Sequence, residues 1–140
     1  MVIEHVNPGS LRANPAFSQG TIAPAGRTLY VGGQNGIDAT GAMADGIGAQ
    51  TAQAIANVGA VLDAAGATPD DVAKLTIHLV DTVDPAEAYR AAVAAWGVHR
   101  TAVTVLLVSR LGLPGALVEI DAIAALPVVD PGAASGAVPR

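Results

Sequence analysis

Two apolar runs near the end of the chain have the residue pattern of β-strands. Residues 102–108 are rich in β-branched side chains and contain neither glycine nor proline, and residues 116–124 form a second such run. A stretch rich in glycine and proline, residues 111–115, separates the two runs. The pattern predicts a β-hairpin in which these two strands pair with each other.

A charged residue lies within the second of these runs. Counting in steps of two places Glu119 on the same strand face as Leu117 and Ile123. A carboxylate among apolar side chains is costly unless it is paired or protonated, and functional carboxylates are found in such environments. Glu119 is therefore either part of a functional site or a solvated or salt-bridged structural residue. The same two interpretations hold for Arg100, which opens the first run.

An earlier pair of runs, residues 17–23 and 27–33, predicts another hairpin across the turn at 24–26. Its second strand ends in Gly32 and Gly33. Paired glycines at a strand end let a ligand or another chain segment approach the backbone, or they mark a bulge or bend. Both interpretations stay open from the sequence.

Spacing of three and four residues predicts two helices, over residues 46–65 and 84–96, with a strand at 75–80 between them. His78 alternates with apolar residues in that strand and is interpreted as a partly exposed strand residue rather than a catalyst. The element order predicts an α+β fold, one sheet with both helices on one face. The other face then needs cover, and a second copy of the chain would supply it.

Composition narrows the class of protein. At 140 residues the chain suits one domain, predicted over 1–126, with a flexible tail over 127–140. It has no cysteine and only three scattered histidines, so we expect neither a disulfide nor a metal site. A net charge of −5 opposes nucleic-acid binding. No signal peptide or membrane-spanning run is visible, which predicts a soluble, cytoplasmic protein with no membrane partner.

Short segments spread along nearly the whole chain together resemble one known family, the RidA/YjgF/UK114 proteins. Each segment alone is weak, but their order and spacing match the family pattern. They are NPAFSQ (14–19), YVGGQ (30–34), GAQT (48–51), Asn57, AG (65–66), DVAK (71–74), RTA (100–102) and VEIDAIA (118–124).

The resemblance implies a chorismate-mutase-like fold and a homotrimer with ligand clefts between subunits. It also implies an enamine or imine deaminase that converts small 2-imino acids, such as 2-aminoacrylate, to 2-keto acids and ammonia without a cofactor. Carried over by position, Arg100 would bind the substrate carboxylate, and Glu119 with the backbone around Ala102 would hold the attacking water. Phe17, Gly32 and Gly33 would complete the substrate-binding site.

Several positions depart from the family pattern. Phe17 stands where the family usually has tyrosine, Gly32 stands where many members have serine, and the second helix lacks the asparagine of the family deaminases. The segment before Arg100 is shorter than usual and contains His99, which could add a donor or a proton shuttle or could simply lie at the surface. These departures suggest a substrate different from that of the housekeeping members.

Two classes of function remain open at this point. The first is the deaminase, favoured because Arg100 and Glu119 are both present. The second is a non-catalytic trimer that binds a small carboxylate metabolite through Arg100. The endoribonuclease activity sometimes attached to the family is disfavoured by the acidic charge balance.

Overall fold

A computed structural model describes residues 3–129, so the predicted tail lies outside the described residues from position 130 onward. The chain forms seven strands, two α-helices and a short 3₁₀ turn at Pro69–Asp71. In order they are β1 (Glu4–Val6), β2 (Phe17–Ser18), β3 (Gly20–Ile22), β4 (Arg27–Asn35), α1 (Gly46–Ala64), β5 (Val72–Val80), α2 (Pro85–Trp96), β6 (Arg100–Val108) and β7 (Val118–Leu126).

The main sheet has five strands in the order β2-β6-β5-β7-β4. Strand β5 lies at its centre, parallel to β6 and antiparallel to β7. Helix α2 makes the crossover between the two parallel strands, as a connection of this kind requires. Both helices pack on one face of this mixed sheet, so the predicted α+β class with two helices on one face is confirmed.

The predicted hairpin between the last two strands is wrong. β6 and β7 do not pair with each other, because β5 lies between them. Val80 at the end of β5 pairs with Val108, and the neighbouring Leu79 pairs with Val118. The connection at residues 109–117 therefore passes around the end of β5. Nine residues easily span the roughly 10 Å between strands two positions apart.

The predicted first hairpin is also wrong. β4 pairs with β7, from Arg27 opposite Leu126 onward, while β3 pairs with β1 in a separate two-stranded sheet. β2 pairs instead with the start of β6. Strand β4 joins the main sheet because its partner β7 has an entirely buried face, which offers more apolar contact than the short β3.

The core lies between the helices and the sheet. Helix α1 buries one face through residues three and four apart, among them Ile47, Ile55, Val58 and Leu62. Helix α2 begins with Pro85 at its first position and with the Asp84 side chain accepting a hydrogen bond from the Ala86 amide, the usual residue types at a helix start. Of the α2 residues only Ala88 is fully buried, so this helix packs loosely.

The second face of the sheet is only partly covered. The β1–β3 sheet covers one end, where Ile3 packs on Ala73 and Ala125. Elsewhere this face exposes apolar side chains: Tyr30 is 74%, Leu106 45% and Ile123 39% exposed. In addition, β6 beyond Ala102 pairs on one side only, which leaves residues 103–108 as a sheet edge among the described strands. Within residues 3–129, neither helix has the combination of length and apolar character needed to cross a bilayer.

Candidate functional site

The predicted site residues fall at two ends of the sheet. We call the surroundings of Glu119 the carboxylate end, formed by Gly33, Asn35, His78 and Glu119. Glu119 is partly buried on the incompletely covered face, whereas its neighbours Val118 and Ile120 are fully buried on the helix side. The predicted alternation of the two faces in this strand is therefore confirmed.

Gly32 and Gly33 form a bulge in β4. Val31 pairs with Ala122 and Gln34 with Ile120, so both glycines oppose a single residue of β7. The Glu119 side chain lies directly against Gly33, where a Cβ would come within 2.7 Å of the Glu119 carboxyl carbon. A Cβ on Gly32 would meet nothing within 4 Å. The bulge and the close approach of another chain segment thus both occur, and the segment at Gly33 is the Glu119 side chain.

Asn35 orients the carboxylate from the other side of the bulge. Its Nδ2 donates to the Val118 carbonyl at 3.0 Å and to Glu119 Oε2 at 3.4 Å. Helix α1 fixes this strand end in turn, because Asn57 Nδ2 donates to the carbonyls of Asn35 and Ile37 at 3.0 and 2.8 Å. The carboxylate oxygen facing Gly33 keeps free acceptor capacity for a water molecule.

His78 lies opposite Glu119 across the β5–β7 pair, in the same row as Leu106 of β6. Side chains that face each other across an antiparallel pair are neighbours, with Cβ atoms about 5 Å apart. Residue spacing did not reveal this neighbour, because the predicted hairpin paired β7 with β6 instead of β5. Among the described residues, no group of three His, Asp or Glu side chains is placed to hold a metal ion.

We call the surroundings of Arg100 the arginine end, formed by Phe17, His99, Arg100 and Ala102. Arg100 is exposed and has φ 53°, the only positive φ of a non-glycine residue in the described chain. An L-residue in this region costs roughly 1–2 kcal/mol, and such outliers concentrate at functional sites. Within residues 3–129 no ion pair engages its guanidinium.

His99 anchors the segment that carries Arg100. Its Nδ1 lies 2.7 Å from an Asp70 carboxylate oxygen, which ties the α2–β6 connection to the turn before β5. Its ring also meets Trp96 edge to face, with centroids 5.7 Å apart. The Asp70 contact leaves no free Nδ1 for a proton shuttle. The sequence offered no signal for this pair, since 29 residues separate its members.

Phe17 and Ala102 are the other predicted residues at the arginine end. Phe17 is the direct partner of Arg100 in the β2–β6 pair. Ala102 is buried, with Ser18 on one side and Lys74 on the other, so its backbone lies between two neighbouring strands. Phe17 and Ala102 therefore lie beside Arg100, and neither lies beside Glu119.

The two ends are far apart within one chain. Leu106 shares a row with Glu119, and Arg100 precedes Leu106 by six residues along β6. At about 3.3 Å per residue, roughly 20 Å separate the backbone positions of Arg100 and Glu119. Within one copy of the chain, Arg100 and Glu119 therefore do not lie in a common site.

Comparison with known proteins agrees with this fold. The sequence profile of the family described as Endoribonuclease L-PSP matches residues 9–126. A RutC family protein of Pyrococcus horikoshii is 39% identical over 102 residues, covering 71% of this chain and 80% of the relative.

Solved structures give the same result. A protein of unknown function of the conserved Rid family from Yersinia pestis superposes with a TM-score of 0.80 and 33% identity, covering 90% of this chain and all of that one. RidA from an Antarctic Psychrobacter superposes with a TM-score of 0.67 and 32% identity, covering 82% and 92%. Given matching sequence and matching fold over nearly the same residues, this chain belongs to the RidA/YjgF/UK114 family.

Proposed function

We propose that the protein is an enamine/imine deaminase that hydrolyses 2-imino acids to 2-keto acids and ammonia. Water adds to C2 of the imine and forms a C–O bond, while the nitrogen takes up a proton. The proton of the new hydroxyl group then moves to the nitrogen atom, and the C–N bond of the adduct breaks. Ammonia leaves, and the 2-keto acid is the second product. No oxidant or reductant is needed.

The observation that carries this proposal is the state of Arg100. Arg100 is exposed, and its guanidinium is engaged by no ion pair within residues 3–129. Its backbone has a positive φ, a conformation that is unfavourable for residues other than glycine. Such a residue is available to bind an external carboxylate with two parallel hydrogen bonds. A 2-imino acid presents that carboxylate next to its reacting carbon.

Glu119 is the group proposed to position the water. Asn35 fixes one of its oxygens, and the side chain is confined against Gly33. A carboxylate held in one orientation at a partly apolar surface suits a general base, because it can accept a proton from a water within hydrogen-bond distance. His78, opposite in the next strand, is the nearest titratable neighbour in this row.

We further propose that the working site forms between copies of the chain in a trimer. The carboxylate end and the arginine end lie roughly 20 Å apart in one copy, so Arg100 and Glu119 cannot both contact a small substrate there. The apolar side chains exposed on the second face, Tyr30, Leu106 and Ile123, would be buried by such an assembly. Arg100 of one copy would then meet Glu119 of the next.

Mixing two inactive variants tests the whole arrangement. Arg100→Ala and Glu119→Gln should each lower ammonia release from oxidase-generated imines by about 10²-fold or more. Co-refolded as mixed trimers, they should recover about a quarter of the wild-type activity, because one site in four pairs an intact arginine with an intact glutamate. Recovery is not expected if each site lies within one chain, so a mixture as inactive as its components would refute the intersubunit site.

The non-catalytic binder is distinguished in the same samples. Glu119→Gln should still bind a 2-keto acid, whereas Arg100→Ala should not, and Arg100→Lys should bind weakly because an ammonium lacks the two-pronged geometry. If the wild type binds a 2-keto acid through Arg100 but releases no ammonia from any imine, the protein is a carboxylate-binding module and the deaminase proposal is wrong.

A further inference from the structure

A cavity of about 280 Å³ lies between helix α2 and the sheet, open to the surface on one side. Its floor is the helix-facing side of β5 and β6. A helix-covered face normally buries its apolar residues, yet Ile77 and Val103 are only partly buried here and Val105 is 52% exposed. From α2 the cavity is lined by the small residues Ala88 and Ala92 and by the larger side chains of Tyr89, Val93 and Trp96, none of which is fully buried against the sheet. The loose packing of α2 is therefore the cause of the cavity.

The wall of this cavity is almost entirely apolar. Its ring-bearing side chains are Phe17, Tyr89 and Trp96, and two polar side chains, Thr51 and Trp96, have buried atoms without a hydrogen-bond partner in the described structure. Thr51 is 1% exposed. None of the described residues that line the cavity carries a charged side chain. An occupant that enters it therefore exchanges water for apolar contact and meets no charge.

The cavity adjoins the arginine end. Phe17, which lines the cavity, is the direct strand partner of Arg100, and Val98, which also lines it, lies two residues before Arg100. The cavity therefore lies next to the segment that carries Arg100, whose guanidinium has no ion-pair partner within residues 3–129. A molecule with a carboxylate at one end and an apolar group at the other matches this combination of surfaces.

We infer that the cavity receives the side chain of the substrate and that the substrates are 2-imino acids with an aryl-sized apolar side chain. This inference rests on the proposed deaminase, since it names the substrate class of the same site. An apolar cavity of 150 Å³ is large enough to hold benzene, so 280 Å³ accommodates an aryl side chain with space to spare. A methyl side chain would leave most of the cavity empty.

Ligand binding tests the inference independently of catalysis. Phenylpyruvate should bind at least about tenfold more tightly than pyruvate in isothermal titration calorimetry, because a buried aryl group gains affinity that a methyl group cannot. Trp96 is the only tryptophan of the chain and lines the cavity, so its fluorescence should change with phenylpyruvate and not with pyruvate.

Filling the cavity should remove this preference. Ala92→Val and Ala92→Phe add increasing volume to the wall, and the phenylpyruvate to pyruvate affinity ratio should fall stepwise toward one. Ala94→Phe makes the same change at an exposed position of α2 outside the cavity and should leave the ratio unchanged. Thermal melts identify any variant that fails to fold, and the smaller Ala92→Val substitution provides the test if Ala92→Phe does not fold.

The outcomes separate the two proposals. If no imine is hydrolysed but the affinity ratio behaves as described, the deaminase proposal fails and the cavity assignment stands. If alanine-derived and phenylalanine-derived imines are hydrolysed equally well, or Ala92→Val changes affinity for both keto acids alike, the cavity is not the side-chain site while the deaminase stands.

Discussion

The carboxylate end and the arginine end hold their charged residues by different means. Glu119 is placed by a regular strand: its position follows from the β7 ladder, and contacts to Asn35 and Gly33 fix the side chain. Arg100 is placed by an irregular backbone, with φ 53° at the junction of a helix exit and a strand. The regular strand positions Glu119 without backbone strain. The Arg100 conformation is unfavourable by itself, so contacts of the surrounding structure must stabilise it.

The largest effect should come from the close contact at the carboxylate end. Gly33→Ala brings a Cβ into the Glu119 side chain and should lower the free energy of unfolding by about 1–2 kcal/mol, because one of the two groups must move. Ammonia release should fall with it, since the carboxylate leaves its position. Chemical denaturation and the oxidase-coupled assay measure the two effects.

Two comparisons sharpen this result. Gly32→Ala adds the same methyl group at the preceding residue, where no atom lies within 4 Å of the new Cβ. The free energy of unfolding of this variant should match that of the wild type. In a Glu119→Ala background the cost of Gly33→Ala should largely disappear. A cost that persists there would show that backbone conformation, rather than Glu119, requires the glycine.

A smaller effect is expected from the strained backbone at the arginine end. Arg100→Gly and Arg100→Ala both delete the guanidinium, but only glycine adopts φ 53° without a Cβ penalty. The glycine variant should therefore be more stable than the alanine variant by about 1 kcal/mol, or about 3 °C in melting temperature.

Arg110 supplies the control, because it is exposed and does not have a positive φ. There the order should reverse, with Arg110→Gly less stable than Arg110→Ala, since glycine loses more conformational freedom on folding. If alanine were the more stable residue at both positions, the Arg100 backbone would carry no strain.

The smallest effect should come from the pair that anchors the arginine end. Asp70→Asn weakens the contact to His99, and because Asp70 is 77% exposed the loss should stay below about 1 kcal/mol. We expect 2-keto acid affinity to fall by no more than about fivefold. Asp63→Asn removes a charge at another exposed position, on α1, and should leave affinity unchanged. Equal effects of both variants would attribute the loss to net charge alone.

The sequence predicted the elements of the fold better than their pairing. The two helices lie within a residue of their predicted bounds at each end, because the spacing of apolar residues is a local signal. Both predicted hairpins were wrong. Each rested on a Gly/Pro turn between neighbouring strands, whereas β5 and β7 offered larger apolar faces to more distant strands.

For the candidate site too, the sequence predicted the position of single residues better than their neighbours in space. Alternation along β7 correctly separated the face of Glu119 from that of Val118 and Ile120, although it did not indicate which of the two faces packs on the helices. Nothing local indicated that Asn35 and His78 flank it, since both meet it only through the strand order of the sheet. The Asp70–His99 contact and the cavity under α2 depend on how separate elements pack, which residue spacing does not encode.

The half-paired strand β6 has a consequence for handling the protein. From Val103 to Val108 no described strand pairs with one of its sides, and Val105, Leu106 and Leu107 are each close to half exposed or more. An apolar strand edge of this kind invites cross-chain β-pairing. Variants that weaken the proposed trimer should therefore precipitate or form fibrils rather than persist as dispersed single chains. The time for which such variants stay in solution would then depend on the rate at which the β6 edges of two chains pair.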